Sequence, residues 1–469
     1  MTFNKIVLSF FSVIIILLIC VYIFGIEQID KTSYKDLACY QNTNTNINNL
    51  IINELATKNT FSAGWAKATI TPEKPVEFAG YGLRNNFAGV YDSLFVRAIV
   101  FSDLQNNSQN NLSSHLQNQI AIISMDLLIV HPDIANAVRK KLEKEMPEIK
   151  FAYFTATHTH HGIGGWAKGL VGILSMGGYD EEIFDFIVNQ TVNAVANAAK
   201  NCRPATVGYG QIWAKDFVVH RIEQHSNTID SWLRLVKIRQ DTGKEAVMIT
   251  YNAHNNGLRH DMPMLSNDYV GALLANLQNK TSNLQVKNKQ NDVDFALFAS
   301  GMVASHRWNG KGDDYESVAQ GGKALADLVA LQLPQIATKS IDKIKFATLP
   351  IEVREPQFRL NDEFKVSTWL FEAVIGKLDA YMSVLQLGDI VLVGMPCDFS
   401  GELFAEIATV TAAKKQNLII TSFNGAYIGY ISHDRLYGSQ HSEIKDMNWV
   451  APESSWYFTE ITKKLLKKF

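Results

Sequence analysis

Neither basic nor acidic residues dominate this 469-residue chain: 44 basic residues face 46 acidic ones, the formal net charge is −2, and no block of like charges stands out. A nucleic-acid partner is therefore not expected, because phosphate binding needs a concentrated positive surface. Cysteine is scarce as well. Cys20, Cys39, Cys202 and Cys397 form no CxxC pair and no regular spacing, so neither a disulfide framework nor a cysteine zinc site is indicated. No internal repeat and no clear interdomain linker follow residue 60, which makes one large domain the simplest assignment. Hydrophobic residues are not lacking. At 47% they can fill a sizeable core, and a disordered chain is excluded.

The longest apolar run lies at the N-terminus. From Ile6 to Ile26, "IVLSFFSVIIILLICVYIFGI" carries no charge and is long enough, as a helix, to span roughly the 30 Å of a bilayer core. Lys5 precedes it, and Glu27 and Asp30 follow, an asymmetry that favours a cytoplasmic N-terminus with the remainder outside. A cleaved signal peptide is the rival reading; no A-x-A site follows the run, so an uncleaved membrane anchor over residues 1–30 is expected. Residues 31–60, rich in Asn and Thr, read as a polar linker, and the folded region as 61–469. Two polar low-complexity stretches, at 105–119 and 278–292, read as surface excursions.

Between those stretches, β-like runs such as "QIAIISMDLLIV" and "DIVLVGMP" alternate with helical ones such as "DIANAVRKKLEKEMP" and "EIFDFIVNQTVNAVANAAKN". The pattern predicts a mixed α/β fold with central sheets flanked by helices.

Chemistry concentrates at strand ends. "KFAYFT" runs into "ATHTHHGIGG", which brings His158, His160 and His161 together ahead of three glycines. In extended chain the i and i+2 side chains share a side, so His158 and His160 would face one cavity while His161 turns away. Two histidines do not make a zinc site, which commonly needs three or four protein donors. Further donors stand after two more strand-like runs: His254 in "MITYNAHNNGLRH", and Asp398, with Glu402 beyond it, in "IVLVGMPCDFSGE". Singly, each has an ordinary structural explanation, a loop histidine or a helix-capping aspartate.

Taken in order, these segments resemble the neutral and alkaline, non-lysosomal ceramidases. "TATHTHHGIGG" is similar to the family's "THTHSGPGG" signature, "ATITPEKPVEFAGYG" with "DSLFVRAIVF" to its opening, and "AHNNGLRHDMPMLSNDYVGALL" to the segment bearing its second zinc histidine. "LVGMPCDFSGELF" and "NGAYIGYISHDRLYG" match the segments with its acidic and tyrosine ligands, and the likeness covers approximately residues 61 to 465. The resemblance implies a zinc-dependent amidase that splits the N-acyl amide of ceramide or a related lipid into a fatty acid and a sphingoid base. It implies Zn2+ held by His158, His254, Asp398 and Tyr437, His160 as acid and base or oxyanion stabiliser, Arg221 in "VVHRIEQH" as a substrate contact, and Ser305 in "FASGMVASHRWNG" as a catalytic serine.

The sequence also departs from the pattern. Asp398 stands where the family has Glu, Trp449 where it has a pocket tyrosine, Ser305 aligns only across a small gap, and "HGIGG" adds His161 at the mouth of the site. The chain stops soon after the last catalytic motif, so the family's further C-terminal β-sandwich domain is not expected. The expected partner is a lipid substrate, met at a membrane that the N-terminal helix engages, outside the cytoplasm or in the medium if that helix is cleaved. A metal hydrolase of a different amide or ester, and a non-catalytic lipid-binding relative, are the alternatives. An amidohydrolase barrel also uses H-x-H, but there the pair opens the barrel, whereas folded sequence precedes it in this chain.

Overall fold

The computed structural model describes residues 25–57, 60–104, 116–223, 226, 228–278 and 293–469. Two sheets form its centre. In chain order their strands are β1 Asn53–Ala56, β2 Phe61–Thr69, β3 Phe95–Leu104, β4 Leu116–Met125, β5 Ile149–Ala156, β6 Arg203–Trp213, β7 Trp232–Gln240, β8 Glu245–Tyr251, β9 Phe295–Ser300, β10 Lys343–Ile351, β11 Ala380–Leu387, β12 Ile390–Gly394 and β13 Asn417–Thr421. The larger sheet runs β9-β8-β7-β6-β2-β3-β4-β5, and the smaller β1-β10-β11-β12-β13. Most neighbours are antiparallel, but β4 with β5, β8 with β9 and β12 with β13 are parallel.

Strand alternation explains how the two sheets stack. In β4, Ile120 and Ile122 join Tyr153, Phe346, Leu392 and Ile419 in one buried cluster between the sheets. Ala121 and Ile123 point the other way, towards Ile134, Val138, Ile187 and Val195 of helices α2 (Pro132–Glu145) and α4 (Glu181–Lys200). β8 and β12 divide in the same manner: Met248 and Leu392 face inward, while Ile249 and Val393 face outer helices. Because both faces are covered, these strands read as continuous apolar runs rather than alternating ones. The result is four layers, helix, sheet, sheet, helix, in a mixed α/β arrangement.

The expected polar linker at 31–60 is instead folded onto the domain. Tyr34 is fully buried and stacks on Tyr457 at 4.4 Å. Helix α1 (Ala38–Asn48) packs on β10 and on the C-terminal helix, here α10 (Ser454–Lys468), and β1 forms the edge of the smaller sheet. The polar composition misled because this helix buries only a narrow face. Ile47 is 4% exposed, Thr43 shares a 2.9 Å hydrogen bond with Tyr457, and Asn42 and Asn46 donate to Glu352 and the Pro350 carbonyl. Tyr34→Ala is expected to destabilise the fold by about 3–5 kcal/mol, measured by chemical denaturation. A loss below about 1 kcal/mol would make this segment an accessory to the domain.

The apolar run at 6–26 lies outside the described residues except for Gly25 and Ile26. Ile26–Gln28 is a short strand paired with Phe364–Val366. Among the described residues no helix is long and apolar enough to cross a membrane. The excursions at 105–119 and 278–292 also fall largely outside them, although Leu116–Gln119 already belong to β4 and Gln278 ends helix α5 (Asp268–Gln278).

Candidate active site

The three parallel strand pairs aim their carboxyl ends at one place, where α/β sheets commonly carry function. β5 ends at Ala156, and the chain then turns through His158 with φ +62°, a left-handed conformation that a non-glycine residue adopts only when its surroundings impose it. They do so here. The His158 amide donates to the Leu127 carbonyl at 3.0 Å, its Nδ1 meets the Leu128 carbonyl at 2.6 Å, and the Phe423 ring stacks on the imidazole at 4.4 Å. Since a carbonyl can only accept, Nδ1 carries the hydrogen and Nε2 presents a bare lone pair.

That Nε2 lies 2.9 Å from His254 Nε2, and His160 Nε2 lies 2.8 Å from the same atom. Asp398 Oδ1 is 3.3 Å from His158 Nε2 and makes no hydrogen bond, while Oδ2 accepts from the Tyr427 hydroxyl at 2.9 Å. Asp398 is held by a two-residue parallel pairing of Asp398–Phe399 with Tyr430–Ile431. His161 turns away as expected: fully buried, its Nε2 donates to the Arg259 carbonyl at 3.1 Å, so it is a packing residue and not a group at the mouth. Strand alternation is not why His158 and His160 converge, since both lie beyond the end of β5; the turn at His158 brings them together.

Burial governs the charges. It pulls the His158 imidazolium down to about 3 and those of His160 and His254 well below their ordinary value, with mutual repulsion and Arg221 adding to the effect. Burial pushes the Asp398 carboxyl up to about 7 despite the Tyr427 hydrogen bond and Arg221. The cluster thus holds neutral imidazoles and one reluctant carboxylate. His254 Nδ1 also lies 3.4 Å from the Val303 carbonyl, and a hydrogen there leaves its Nε2 bare, so three converging nitrogens and an unpartnered carboxylate oxygen present more lone pairs than donors. A divalent cation with an affinity for nitrogen and carboxylate oxygen supplies what such a set lacks, and the donors fit zinc. His160 stands as near the shared centre as His158 and His254 do.

Arg221 lies beside this centre. Its Nη1 is 3.2 Å from His254 Nδ1, its Nη2 pairs with Glu443 at 3.0 Å, and its own amide donates to the Ser305 carbonyl at 2.9 Å. The Ser305 hydroxyl is buried against His306 Nδ1 at 2.9 Å and Ser400 Oγ at 2.6 Å. His306 Nε2 accepts from the Asp230 amide, so its proton sits on Nδ1 and points at Ser305; that histidine cannot serve as a base for the serine.

Tyr437 is not drawn to the centre. It lies on Arg359, whose guanidinium carbon is 4.3 Å from its ring centroid, and its hydroxyl makes no hydrogen bond to Asp398 or to the histidines. The tyrosines beside Asp398 are Tyr427 and Tyr430. Tyr427→Phe is expected to weaken zinc binding by about tenfold, as the loss of a partner behind a metal ligand does, and Tyr437→Phe to leave it unchanged. Zinc lost in Tyr437→Phe alone, measured by competition with a chromogenic chelator, would reverse that assignment. Trp449 packs edge-on against Tyr427 and Phe371 at 5.8 and 5.4 Å. Tyr81, inside the family-like opening segment but given no role there, lies 4.5 Å from the His160 ring, and Glu443 falls outside every such segment.

A second group of possible donors, His220, Glu223 and Glu402, already holds its cation. The Arg435 guanidinium bridges Glu223 and Glu402. Burial alone would raise the Glu402 carboxyl, but His220, Thr228 and Arg435 together bring it down to about 2.

Comparison with known proteins accords with this arrangement. The family model described as neutral/alkaline non-lysosomal ceramidase, N-terminal, matches residues 61–314. A neutral ceramidase of Pseudomonas aeruginosa is 26% identical over 152 residues, 31% of this chain and 21% of that protein's length. The crystal structure of neutral ceramidase from Pseudomonas aeruginosa superposes with a TM-score of 0.71 at 16% identity, covering 87% of this chain and 74% of that one. A ceramidase complexed with C2 gives a TM-score of 0.69 at 15% identity, over 87% and 75% of the two chains. At such identities the superpositions establish a shared fold.

Proposed function

This chain belongs to the neutral/alkaline non-lysosomal ceramidase family, and from that premise we propose that it is a zinc-dependent hydrolase of the amide bond in ceramide or a closely related N-acyl lipid. The observation that carries the reading is the meeting of three imidazole nitrogens, with His254 Nε2 at 2.9 Å from His158 Nε2 and 2.8 Å from His160 Nε2, beside a carboxylate oxygen that has no hydrogen-bond partner. His158, His254 and Asp398 would hold the ion. When bound, zinc supplies Lewis acidity and a nucleophile at neutral pH.

The chain's own residues divide the remaining work. His158 is pinned in one tautomer by the Leu128 carbonyl and cannot move a proton. His160 has no partner at Nδ1, so no neighbour fixes its tautomer, and its Nε2 faces the centre. It is therefore the residue able to deliver a proton to the departing amine. Arg221 brings a fixed positive charge to the side where negative charge develops on the amide oxygen. Tyr427 holds the Asp398 carboxylate in one orientation.

The products would be a fatty acid and a sphingoid base. A membrane-anchored enzyme acting outside the cytoplasm suits a substrate that resides in the bilayer. A second reading, hydrolysis of another amide or ester, draws on Trp449 beside Tyr427. N-acyl amino acids fit less well, because Glu443 already occupies the guanidinium that would receive their carboxylate. Metal content by elemental mass spectrometry, read beside fatty-acid release from a short-chain fluorescent ceramide, tests the proposal. One zinc per chain with chelator-sensitive release is the expected result; zinc without release would move the search to other amides, and no zinc under replete conditions would leave a lipid-binding relative.

A further inference from the structure

The rim of the histidine site exposes apolar side chains that a globular surface would ordinarily bury. Helix α3 (Gly169–Ser175) presents Leu170, Ile173 and Leu174 at 47%, 57% and 43% exposure, and their i, i+3, i+4 spacing puts them on one face. The opposite side is the one that packs. Gly172 is buried, and a Cβ there would lie 2.1 Å from the Ala167 carbonyl oxygen. The helix is thus oriented with its apolar face outward, the reverse of a core helix.

Two neighbouring segments continue that face. The Gly80 amide donates to the Ser175 carbonyl at 2.7 Å, joining α3 to a loop that exposes Leu83 at 70% and Tyr81 at 42%. Helix α7 (Thr368–Val374) meets α3 and carries Trp369, 51% exposed. Tyr81 is also the ring against His160, so the patch is continuous with the catalytic centre. From His161 to Tyr179 the only charged residue is Lys168, which is exposed. Apolar residues with a tyrosine and a tryptophan, fringed by a cation, match the boundary between acyl chains and lipid headgroups.

We propose that this rim is a bilayer-docking face, through which the folded domain itself seats on a lipid surface with the histidine site opening onto it. The inference rests on the reading of the substrate as a bilayer-resident lipid. It is separate from any anchoring by residues 1–24, because it orients the site and does not merely tether the chain.

The experiment uses the full chain with an environment-sensitive thiol fluorophore at Ile173→Cys, and at Leu331→Cys on another surface, 68% exposed, as the control. The identically treated parent supplies the background from native cysteines. With phosphatidylcholine vesicles containing one-fifth phosphatidylserine and nitroxide-labelled lipid, the probe at 173 is expected to shift to the blue and be quenched, and the probe at 331 to stay in water. Equal behaviour of the two probes overturns the proposal, as does a shift at 173 that follows protein concentration without vesicles, which would assign the face to a second copy. In parallel, a Leu170→Ser, Ile173→Ser, Leu174→Ser variant should lose about tenfold or more activity on vesicle-embedded ceramide and keep its activity on a monomeric short-chain one. Equal loss on both would mean the residues serve folding or chemistry. If the parent hydrolyses neither substrate, the functional reading fails, and the quenching result still decides docking.

Discussion

His158→Ala is expected to abolish both bound zinc and amide hydrolysis, whereas His160→Ala keeps its zinc and loses roughly a hundredfold or more in kcat. The contrast follows from what sits behind each ring. His158 is held by its backbone, by the Leu128 carbonyl and by Phe423, so its Nε2 is a fixed lone pair with no other use. The other nitrogen of His160 has no partner, which is poor support for a ligand and good freedom for a proton carrier. Elemental analysis of each variant, alongside fatty-acid release, decides the matter: His160→Ala without zinc would make His160 one of the nitrogens that hold the ion. Zinc uptake should also depend on pH, with a sign set by Asp398. In the metal-free chain its carboxyl is raised to about 7, so below that value binding must expel a proton, and above it none is expelled from this group. The histidines are already neutral across this range. Apparent affinity should therefore fall about tenfold per pH unit below 7, and calorimetry in buffers of different ionisation enthalpy should detect the released proton at pH 6 but not at pH 8.5.

Much of the fold was legible because its central strands are buried on both faces. Runs such as Ile120–Ile123 and Ile390–Val393 carry apolar residues at every position, and α2 and α4 show helical spacing that ends at Glu145 and Lys200. The N-terminal segment was not legible for a corresponding reason. Helix α1 is anchored by Ile47, by Thr43 and by asparagine side chains reaching β10, and hydrogen bonds of that kind leave no apolar periodicity. The stacking of the two sheets was not visible either, since it depends on which alternate residues of β4 and β12 meet, and both alternates are apolar.

In the site, the histidines and Asp398 could be found because each follows a strand-like run, and parallel strands deliver their ends to one edge. The tyrosine could not. Tyr427, Tyr430 and Tyr437 share one motif, and only the pairing of Tyr430–Ile431 with Asp398–Phe399, which brings Tyr427 to Asp398, separates them. Glu443 had no signal at all: it follows a helix-capping position, and its meaning comes only from Arg221, which is far away in sequence. His161 could be read only half-way. Its turning away from His158 and His160 follows from spacing, but its burial under the Arg259 carbonyl does not.

Arg221→Ala should lower kcat by about 10²–10³ with zinc retained, the loss typical of removing one charged donor aimed at a developing oxyanion. The guanidinium spans Glu443 at 3.0 Å and His254 Nδ1 at 3.2 Å, so its position is fixed before substrate arrives and no reorganisation is needed as charge develops. Lys at this position cannot make both contacts with one ammonium, and Arg221→Lys should recover only part of the loss. Glu443→Gln provides the complementary change. It leaves the guanidinium in place but frees one edge of it, so ceramide turnover should fall only a few-fold while turnover of N-acyl amino acids rises relative to it, as their carboxylate finds the arginine unpaired. Steady-state kinetics on the two substrate classes separate the possibilities. If Arg221→Ala reduces zinc content together with kcat, the arginine supports His254 and not the oxyanion; if Glu443→Gln leaves the ratio of the two substrates unchanged, Arg221 does not face the substrate's polar end.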